Sequence, residues 1–430
     1  MREQQVKRRR RGWFERDSFL WILKPGHIDA AFAVTTIIIL TFGLIMMFSA
    51  SVASGTKLFR SQLLFAVAGL VLMFVVSQID MAKIEKAFRG YIPYAVYVLG
   101  IALLLAAFVF TGDTQAGYHR IFKLGPVQFQ PSEFMKVALI ILLAKVLTDR
   151  QHQLLKDDPI RFRRFSKPAK TVFGEAFRSV VNFFLQRDLM LMLALVGIIL
   201  LPAGIVKFSN HNSGMIIMML IGMCMMFSGN VKFRYFGAVL TVAVIGLAAA
   251  FIIYKNAPEF FSKYLDAKGR ISAWLSHDYT SHDQNRWQVN NGLYAIGSGG
   301  FFGVGFNKSV QKYYYVPEPQ NDMIFSILCE EFGFFGAFLV LFAFGLYLCL
   351  CANIARKSRS KFQKFIVYGI MAHIGLQVVM NVAVVTEVMP LTGVELPFFS
   401  SGGSALLANL IESGIVLAVS KSNPAPRAAR

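Results

Sequence analysis

Most of the chain alternates between apolar runs of about 20 residues and shorter polar segments. Uncharged runs of this length are typical of helices that cross a lipid bilayer. The pattern predicts an all-α, polytopic membrane protein with about ten transmembrane helices and one large external loop between the seventh and eighth spans. The predicted spans are 29–50, 61–79, 91–111, 132–148, 189–206, 212–228, 237–254, 323–350, 365–386 and 404–420.

Composition supports the same class of protein. The 430 residues are 55% hydrophobic and only 16% charged, whereas a soluble domain is typically about 45–50% apolar and about 25% charged. The four cysteines fall within or beside predicted spans and lack the spacing of metal ligands, so we expect neither disulfides nor zinc. They are Cys224, Cys329, Cys349 and Cys351.

The distribution of basic residues predicts the orientation. Of the 44 Lys and Arg, 30 fall in segments on one side of the ten predicted spans, and such an excess is typical of cytoplasmic segments. Both termini are therefore expected in the cytoplasm, and the net charge of +20 is assigned to lipid headgroups rather than to nucleic acid. The predicted parts are a basic cytoplasmic tail (1–28), a membrane domain (29–420) with a cytoplasmic loop (149–188) and an external loop (255–322), and a cytoplasmic C-terminal tail (421–430).

Charged residues near the third and fourth spans are the first candidates for chemistry. Glu133 and Lys136 are three residues apart and share a helix face, where they can neutralise each other. Such a pair either joins helices structurally or handles substrate. Arg120 and Lys123 lie outside the spans and are either cations for a diphosphate or solvated loop charges.

A lone carboxylate, Asp322, ends the external loop at the start of the eighth span. An acid at the boundary between water and hydrocarbon is costly unless it is used or paired. Asp322 is either a general base or only the N-cap of the helix. Deeper in the same span, Glu330 and Glu331 are expected to be structural.

Glycines cluster in the loop before Asp322, between Gly297 and Gly305. They lack the spacing of a nucleotide-binding loop and are expected to allow tight turns and close backbone approach near a bound headgroup. In the ninth span, His373, Gln377 and Asn381 line one helix face, either as contacts between helices or as the wall of a wet cavity. The irregular segment 389–407 that follows must be buried in protein or line water.

Three of these segments together resemble the SEDS family, named for shape, elongation, division and sporulation, whose members include FtsW, RodA and SpoVE. The resemblance covers residues 29–420. Its first motif is matched by Gly117, Arg120, Gln130, Pro131, Ser132, Glu133 and Lys136. Its loop motif is matched by Arg270, Gln288, 295–300, Gly305, Pro317, Glu318, Asp322, Ile324, Phe325, Glu330, Glu331 and Gly333. Its last motif is matched by Gln377, Asn381, Pro390, Thr392, Gly393, Leu396, Pro397, Phe398, Ser400 and 402–404.

Four positions depart from the family pattern. Ile121 replaces a Trp, Asn212 an Asp, Glu395 a Pro and Ser401 a Tyr. These changes concern the fine shape of the outer cavity, whereas the position of the family's essential acid is retained as Asp322.

The resemblance implies a peptidoglycan glycosyltransferase that polymerises lipid II into β-1,4-linked strands on the outer face of the bacterial cytoplasmic membrane, in division, elongation or sporulation. Asp322 is the implied catalytic base. The growing glycan strand carries undecaprenyl diphosphate as the leaving group. The implied partner is a class B penicillin-binding protein. No cofactor is firmly implied, although a divalent cation, Mg²⁺ or Mn²⁺, would suit the diphosphate. The candidate substrate-binding residues are Arg120, Lys123, Glu133, Lys136, Arg270, Gln288, Ser298, Glu318, Gln377, Asn381 and Ser400.

Two other functions stay open at this point. A lipid II flippase would use the intramembrane polar residues for transport, although the distinctive polar content clusters outside. A non-catalytic scaffold for a penicillin-binding protein would tolerate the loss of Asp322.

Overall fold

The structure is a computed structural model of the full chain. It describes residues 28–53, 55–110, 121–124, 127–155, 187–209, 211–229, 231, 237, 245, 248–249, 251–257, 269–276, 284–358 and 360–422. The helices with bounds are α1 Ala30–Ala50, α2 Thr56–Ser77, α3 Met81–Lys86, α4 Ile92–Phe110, α5 Pro131–Leu155, α6 Arg187–Phe208, α7 Asn212–Ser228, α8 Arg270–Ser276, α9 Gln284–Ser298, α10 Ile324–Lys357, α11 Lys361–Val385 and α12 Gly403–Ser420. Two short strands, β1 Phe122–Leu124 and β2 Val127–Phe129, precede α5.

Nine of the predicted spans coincide with helices of this structure: α1, α2, α4, α5, α6, α7, α10, α11 and α12. Within the described part of the chain, seven helices are long and apolar enough to cross a membrane. Of the other two, α7 is shorter, with 17 residues, and α5 carries Glu133, Lys136 and Lys145 among its apolar residues. The seventh predicted span, 237–254, lies mostly outside the described residues. A multi-pass helical membrane protein is confirmed, whereas ten spans and the extent of the external loop stay predictions.

The purely α-helical prediction is wrong in one detail. The strands β1 and β2 form an antiparallel hairpin in the polar segment before α5, with Lys123 opposite Gln128. Aromatic side chains favour this local structure, because strands present alternate residues on one surface. Phe122 and Phe129 stack with their ring centroids 6.5 Å apart, and Phe129 stacks on Phe134 of α5 at 4.9 Å. The hairpin is thereby fixed to the start of α5.

The two ends of the helix bundle differ in what they hold. At one end, which we call the terminal end, the backbone N–H of Asp29 donates to Ser420 at 3.1 Å, and Lys421 Nζ donates to Gln78 at 2.5 Å. The start of α1, the first described helix, therefore lies beside the end of α12, the last described helix. At the opposite end, which we call the site end, lie the polar segment 299–323 and the segment 386–402 between α11 and α12.

A break in α10 is the main departure from the predicted spans. Gly333 has φ 66° and ψ −166°, so the helix stops there and restarts. The interrupted backbone groups find partners in the loop 300–305, which matters because lipid offers none. The N–H groups of Phe334 and Phe335 donate to the carbonyls of Gly300 and Phe301 at 2.9 and 3.0 Å, and those of Val304 and Gly305 donate to the carbonyls of Glu330 and Glu331 at 2.9 and 3.0 Å.

The glycine cluster permits this contact between the loop and α10. A Cβ at Gly299 would lie 2.0 Å from the carbonyl oxygen of Cys329, and one at Gly303 would lie 2.1 Å from that of Glu331. The prediction of close backbone approach is therefore confirmed, but in the structure the neighbour is the broken helix.

We expect Gly303→Ala to destabilise the protein by at least about 2 kcal/mol, because the added methyl meets backbone and the residue has φ 81°. The matched control is Gly297→Ala, since Gly297 is helical and has nothing within 4 Å of its potential Cβ. The control should be neutral or stabilise by up to about 1 kcal/mol. Thermal unfolding of the purified full chain measures both, and equal midpoints would contradict the close contact.

Candidate active site

Asp322 lies at the site end, two residues before α10 begins. The N-cap of α10 is Met323 and makes no side-chain capping bond, so Asp322 is not the helix cap that the sequence left open. Its carboxylate Oδ1 instead accepts a hydrogen bond from Gln288 Nε2 of α9 at 3.3 Å. Among the described residues it has no ion-pair partner.

The surroundings make this carboxylate more basic than an ordinary aspartate. Burial raises the pKa of Asp322 from 3.8 to about 6, with a further upward contribution from Glu318. The backbone amides of Asp322 and Met323, together with the charge of Arg270, act in the opposite direction without cancelling the effect. A carboxylate with this pKa is ionised at neutral pH and still accepts a proton readily, as a general base must.

Asn381 of α11 fixes the backbone at Asp322. Its Nδ2 donates to the carbonyl of Asp322 at 2.7 Å and to the carbonyl of Val394 at 2.8 Å. One buried amide thus joins the start of α10 to the segment 386–402. Of the predicted substrate-binding residues, Gln288 and Asn381 are brought to Asp322 by direct contact.

Most residues from 391 to 400 in the segment 386–402 are buried in protein, which is one of the two outcomes predicted for the irregular backbone of 389–407. Leu391, Val394, Leu396, Phe398 and Phe399 are all at most 5% exposed. Ser400 is buried too, and its hydroxyl accepts a hydrogen bond from the N–H of Leu396 at 2.8 Å. Gln377, Glu395, Ser400 and Asn409 line a small pocket beneath the segment.

A second small pocket lies where α8 and α9 meet the start of the segment 386–402. Arg270 lines it, and its Nε is buried with no hydrogen-bond partner in the described part of the chain. Arg286, only 1% exposed, forms an ion pair with Glu387, and Trp274 Nε1 donates to the carbonyl of Glu387 at 2.9 Å. No sequence pattern predicts the pair of Arg286 and Glu387, because 101 residues separate them.

Glu133 and Lys136 bind each other rather than Asp322. Their charged atoms are 2.6 Å apart, and the side chains are 8% and 2% exposed. The prediction of a neutralising pair on one helix face is confirmed. His211 and His373 lie near enough to act on Glu133 electrostatically, and His373 in turn contacts Glu412 at 2.9 Å.

Two of the remaining predicted substrate-binding residues, Ser298 and Glu318, lie at the surface. Ser298 is exposed and donates to the carbonyl of Ala295 in its own helix at 3.0 Å. Glu318 is exposed, and its carboxylate accepts from Asn321 Nδ2 at 2.6 Å. Lys123 belongs to β1, and Arg120 lies outside the described residues.

Glu330 and Glu331 are structural, as expected. The carboxylate of Glu330 accepts from the N–H of Val310 at 2.8 Å and from the hydroxyl of Ser309. Glu331 forms a fully buried ion pair with Lys312 at 2.8 Å. These acids therefore hold the loop that ends at Asp322, and a buried charge of this kind needs its partner.

The described residues do not fit a divalent cation held by the protein alone. No group of three or more His, Cys, Asp or Glu side chains comes together in the parts of the chain with coordinates. Mg²⁺ needs near-octahedral oxygen ligands. Glu318 is the acid that acts on Asp322, and two carboxylates alone do not supply such a set. No chemical step is therefore assigned to a metal.

We expect Lys312→Met to destabilise the protein by about 3–5 kcal/mol, because it leaves the buried carboxylate of Glu331 without its cation. The double variant Lys312→Met/Glu331→Gln should recover much of that loss, since it removes the unpaired charge. Thermal unfolding of the purified chain checks both, and a double variant no more stable than the single one would contradict the ion-pair explanation.

Asp322→Asn should stabilise the protein above pH 6. The folded-state pKa of about 6 exceeds the ordinary 3.8, so the folded state holds the proton more tightly and the ionised form costs stability. The advantage of Asn is absent below pH 4, grows between pH 4 and 6, and levels off at about 1–3 kcal/mol after allowance for partial exposure.

Unfolding midpoints of the two proteins across pH 4–8 test this sign. Asp149→Asn is the matched control, because Asp149 is exposed at the other end of α5 and pairs with Lys145 at 3.1 Å. A stability difference that is the same at all pH values would show that Asp322 is not held at a raised pKa.

Comparison with known proteins agrees with this architecture. The FtsW, RodA and SpoVE family profile, described as "Cell cycle protein", matches residues 29–424. Stage V sporulation protein E of Bacillus subtilis is 31% identical over 91% of this chain and 97% of its own. A probable peptidoglycan glycosyltransferase FtsW of Coxiella burnetii is 28% identical over 91% and 95%. A chain from a solved structure, titled "Structural coordination of polymerization and crosslinking by a peptidoglycan synthase complex", shares the fold with a TM-score of 0.66, at 22% identity over 92% and 98% of the two chains.

Proposed function

The chain belongs to the FtsW, RodA and SpoVE family, and from this premise we propose that Asp322 is the general base of a lipid II polymerase. The chain is a peptidoglycan glycosyltransferase of the membrane, serving division, elongation or sporulation. The base is inferred from the site, the side of the membrane from the distribution of basic residues, and the substrate from family membership.

One observation carries the assignment of the base. Four other carboxylates at the site end or in the bundle interior each have a basic partner: Glu133 with Lys136, Glu331 with Lys312, Glu387 with Arg286, and Glu412 with His373. Asp322 has a single amide donor in that position instead. Glu330 also lacks a cation among the described residues, but its carboxylate is taken up by the hydroxyl of Ser309 and the N–H groups of Val310 and Gln311. A carboxylate with a cation attached is a poor base, whereas one held by a neutral amide is free to take a proton.

The proposed reaction joins this base to the substrates that family membership implies. The 4-hydroxyl of one lipid II attacks the anomeric carbon of the growing strand, and Asp322 takes the hydroxyl proton. The new O–C1 bond forms as the bond from C1 to the diphosphate oxygen breaks, with inversion from α to β. Undecaprenyl diphosphate departs with the electron pair, so no acid needs to protonate it.

Arg270 is the described residue best placed to stabilise that leaving group. Its charge acts on Asp322, and its buried Nε has no acceptor among the described residues. Arg286 is already committed to Glu387. Fixed cations at a departing diphosphate stabilise the transition state, and Arg120 and Lys123 are proposed to add to this charge from the hairpin side.

The site end is proposed to face outward. Basic residues gather at the terminal end, on α3, at the end of α10 and at the start of α11, and such residues favour the cytoplasm. They include Lys83, Lys86, Arg356, Lys357, Lys361 and Lys364. Asp29 and Ser420 also meet at that end, which supports the proposal that both termini lie in the cytoplasm.

The proposed partner is a class B penicillin-binding protein that crosslinks the new strands. Support comes from family membership and from the fold shared with a chain of a peptidoglycan synthase complex.

Asp322→Ala should lower polymerisation by at least about 10²-fold, because the proton acceptor is lost. For the wild type, kcat/KM should fall as pH drops below about 6, where Asp322 becomes protonated. Glycan-strand synthesis from lipid II by the purified chain with its transpeptidase measures both. Asp149→Asn, an exposed acid at the terminal end, is the control and should keep full activity.

Two outcomes would overturn this proposal. Full polymerisation by the folded Asp322→Ala protein would exclude Asp322 as the base. Movement of lipid II across liposomes by a wild-type protein that never elongates it would indicate a flippase instead.

A further inference from the structure

Gln62 of α2 is a buried residue whose two side-chain polar atoms both form hydrogen bonds. It is 3% exposed. Its Nε2 donates to the carbonyl of Ser400 at 3.1 Å, and its Oε1 accepts from the N–H of Gly402 at 3.3 Å. A single side chain thus satisfies two backbone groups at the end of the segment 386–402, at a depth where lipid would satisfy neither.

The backbone held by Gln62 is strained. Phe398 has φ 66°, a left-handed conformation that costs about 1–3 kcal/mol for a bulky residue and persists only where the surroundings fix it. The neighbouring helices leave it little room. A Cβ at Gly43 of α1 would lie 2.3 Å from the carbonyl oxygen of Phe398, and one at Gly403 would lie 2.3 Å from the ring of Phe65 in α2.

The segment that Gln62 holds reaches Asp322 by three routes. Ser401, between the two clamped residues, donates its N–H to the carbonyl of Gln320 at 2.8 Å, two residues before the acid. Asn381 joins the carbonyls of Val394 and Asp322. Finally, a Cβ on Gly393 would lie 3.7 Å from Asp322 Oδ2. The backbone at Gly393 therefore forms part of the wall beside the carboxylate.

We propose that Gln62 is a positioning residue for the glycosyl transfer. Through the segment 386–402 it fixes the position of Asp322 and keeps water away from its carboxylate, without touching substrate. The proposal rests on the proposed function of Asp322. It predicts a defect in the chemical step rather than in substrate binding, because Gln62 acts on the base and lies behind the segment. Loosening the wall would also admit water to the carboxylate and make it more acidic.

Gln62→Leu keeps the size of the side chain and removes both hydrogen bonds. We expect kcat for lipid II polymerisation to fall about 10- to 100-fold with KM changed less than about threefold, since misplacement of a base costs rate in the chemical step. The acidic limb of the kcat/KM profile should move below the wild-type value of about 6. A residue that only supported folding would not move that limb.

Gln62→Glu tests the hydrogen bonds themselves. A neutral carboxylic acid at this buried position can donate to the carbonyl of Ser400 and accept from Gly402, so this variant should regain most of the kcat lost in Gln62→Leu. Gln78→Leu is the matched control. Gln78 follows α2 at the terminal end, contacts Lys421, and should leave kcat and the pH profile unchanged.

The full chain is assayed in lipid nanodiscs with its transpeptidase, alongside Asp322→Asn. If Gln62→Leu is not recovered folded, Gln62→Asn carries the same test, because its shorter amide can reach one of the two backbone groups at most. The proposal is overturned if kcat and the acidic limb stay at wild-type values, or if Gln62→Glu is no better than Gln62→Leu. A wild type without polymerase activity, or an active Asp322→Asn, would instead refute the proposed function.

Discussion

The structure depends on one constraint, which is that an interrupted backbone inside a membrane must find its hydrogen bonds within the protein. Two interruptions meet at the site end, the break at Gly333 and the segment 386–402. The loop 300–305 supplies partners for the first, and the amides of Gln62 and Asn381 supply them for the second. Because Asn381 also donates to the carbonyl of Asp322, the bonds that repair the second interruption also hold the backbone of the acid in place.

The placement of charges follows the same logic. Carrying a carboxylate out of water is costly, and the protein offsets that cost with a cation at Glu133, Glu331 and Glu387 and with the imidazole of His373 at Glu412. At Asp322 the cation is withheld and burial raises the pKa. A carboxylate without a cation lowers stability, and the carboxylates with partners avoid that cost. Such a contrast is typical of a functional site, where activity and stability oppose each other.

The sequence was sufficient to predict the helices and the acid, but not the contacts that hold them in place. Apolar runs report which segments cross the membrane, and nine predicted spans coincide with helices. Asp322, Gln288 and Asn381 were found through motifs, and the structure joins them directly. Gly333 was matched as part of the loop motif, but the apolar run around it does not predict a break in the helix. The pairs of Arg286 with Glu387 and of Lys312 with Glu331 depend on tertiary contacts. Periodicity within a segment carries no information about such partners.

The departures from the family pattern become understandable once main chain and side chain are separated. Ser401 contributes its backbone N–H to Gln320, a contact that any residue except proline can make. Asn212 is exposed at the start of α7, and its carbonyl oxygen still accepts from Lys207 Nζ at 2.8 Å, so an amide serves there as an acid would. Glu395 lines the pocket beneath the segment, where it borders Gly402 rather than the base. The contact of Ser401 thus does not depend on its side chain, and the contact of Asn212 is one that an acid could also make. The groups that hold Asp322 retain the residues their chemistry requires.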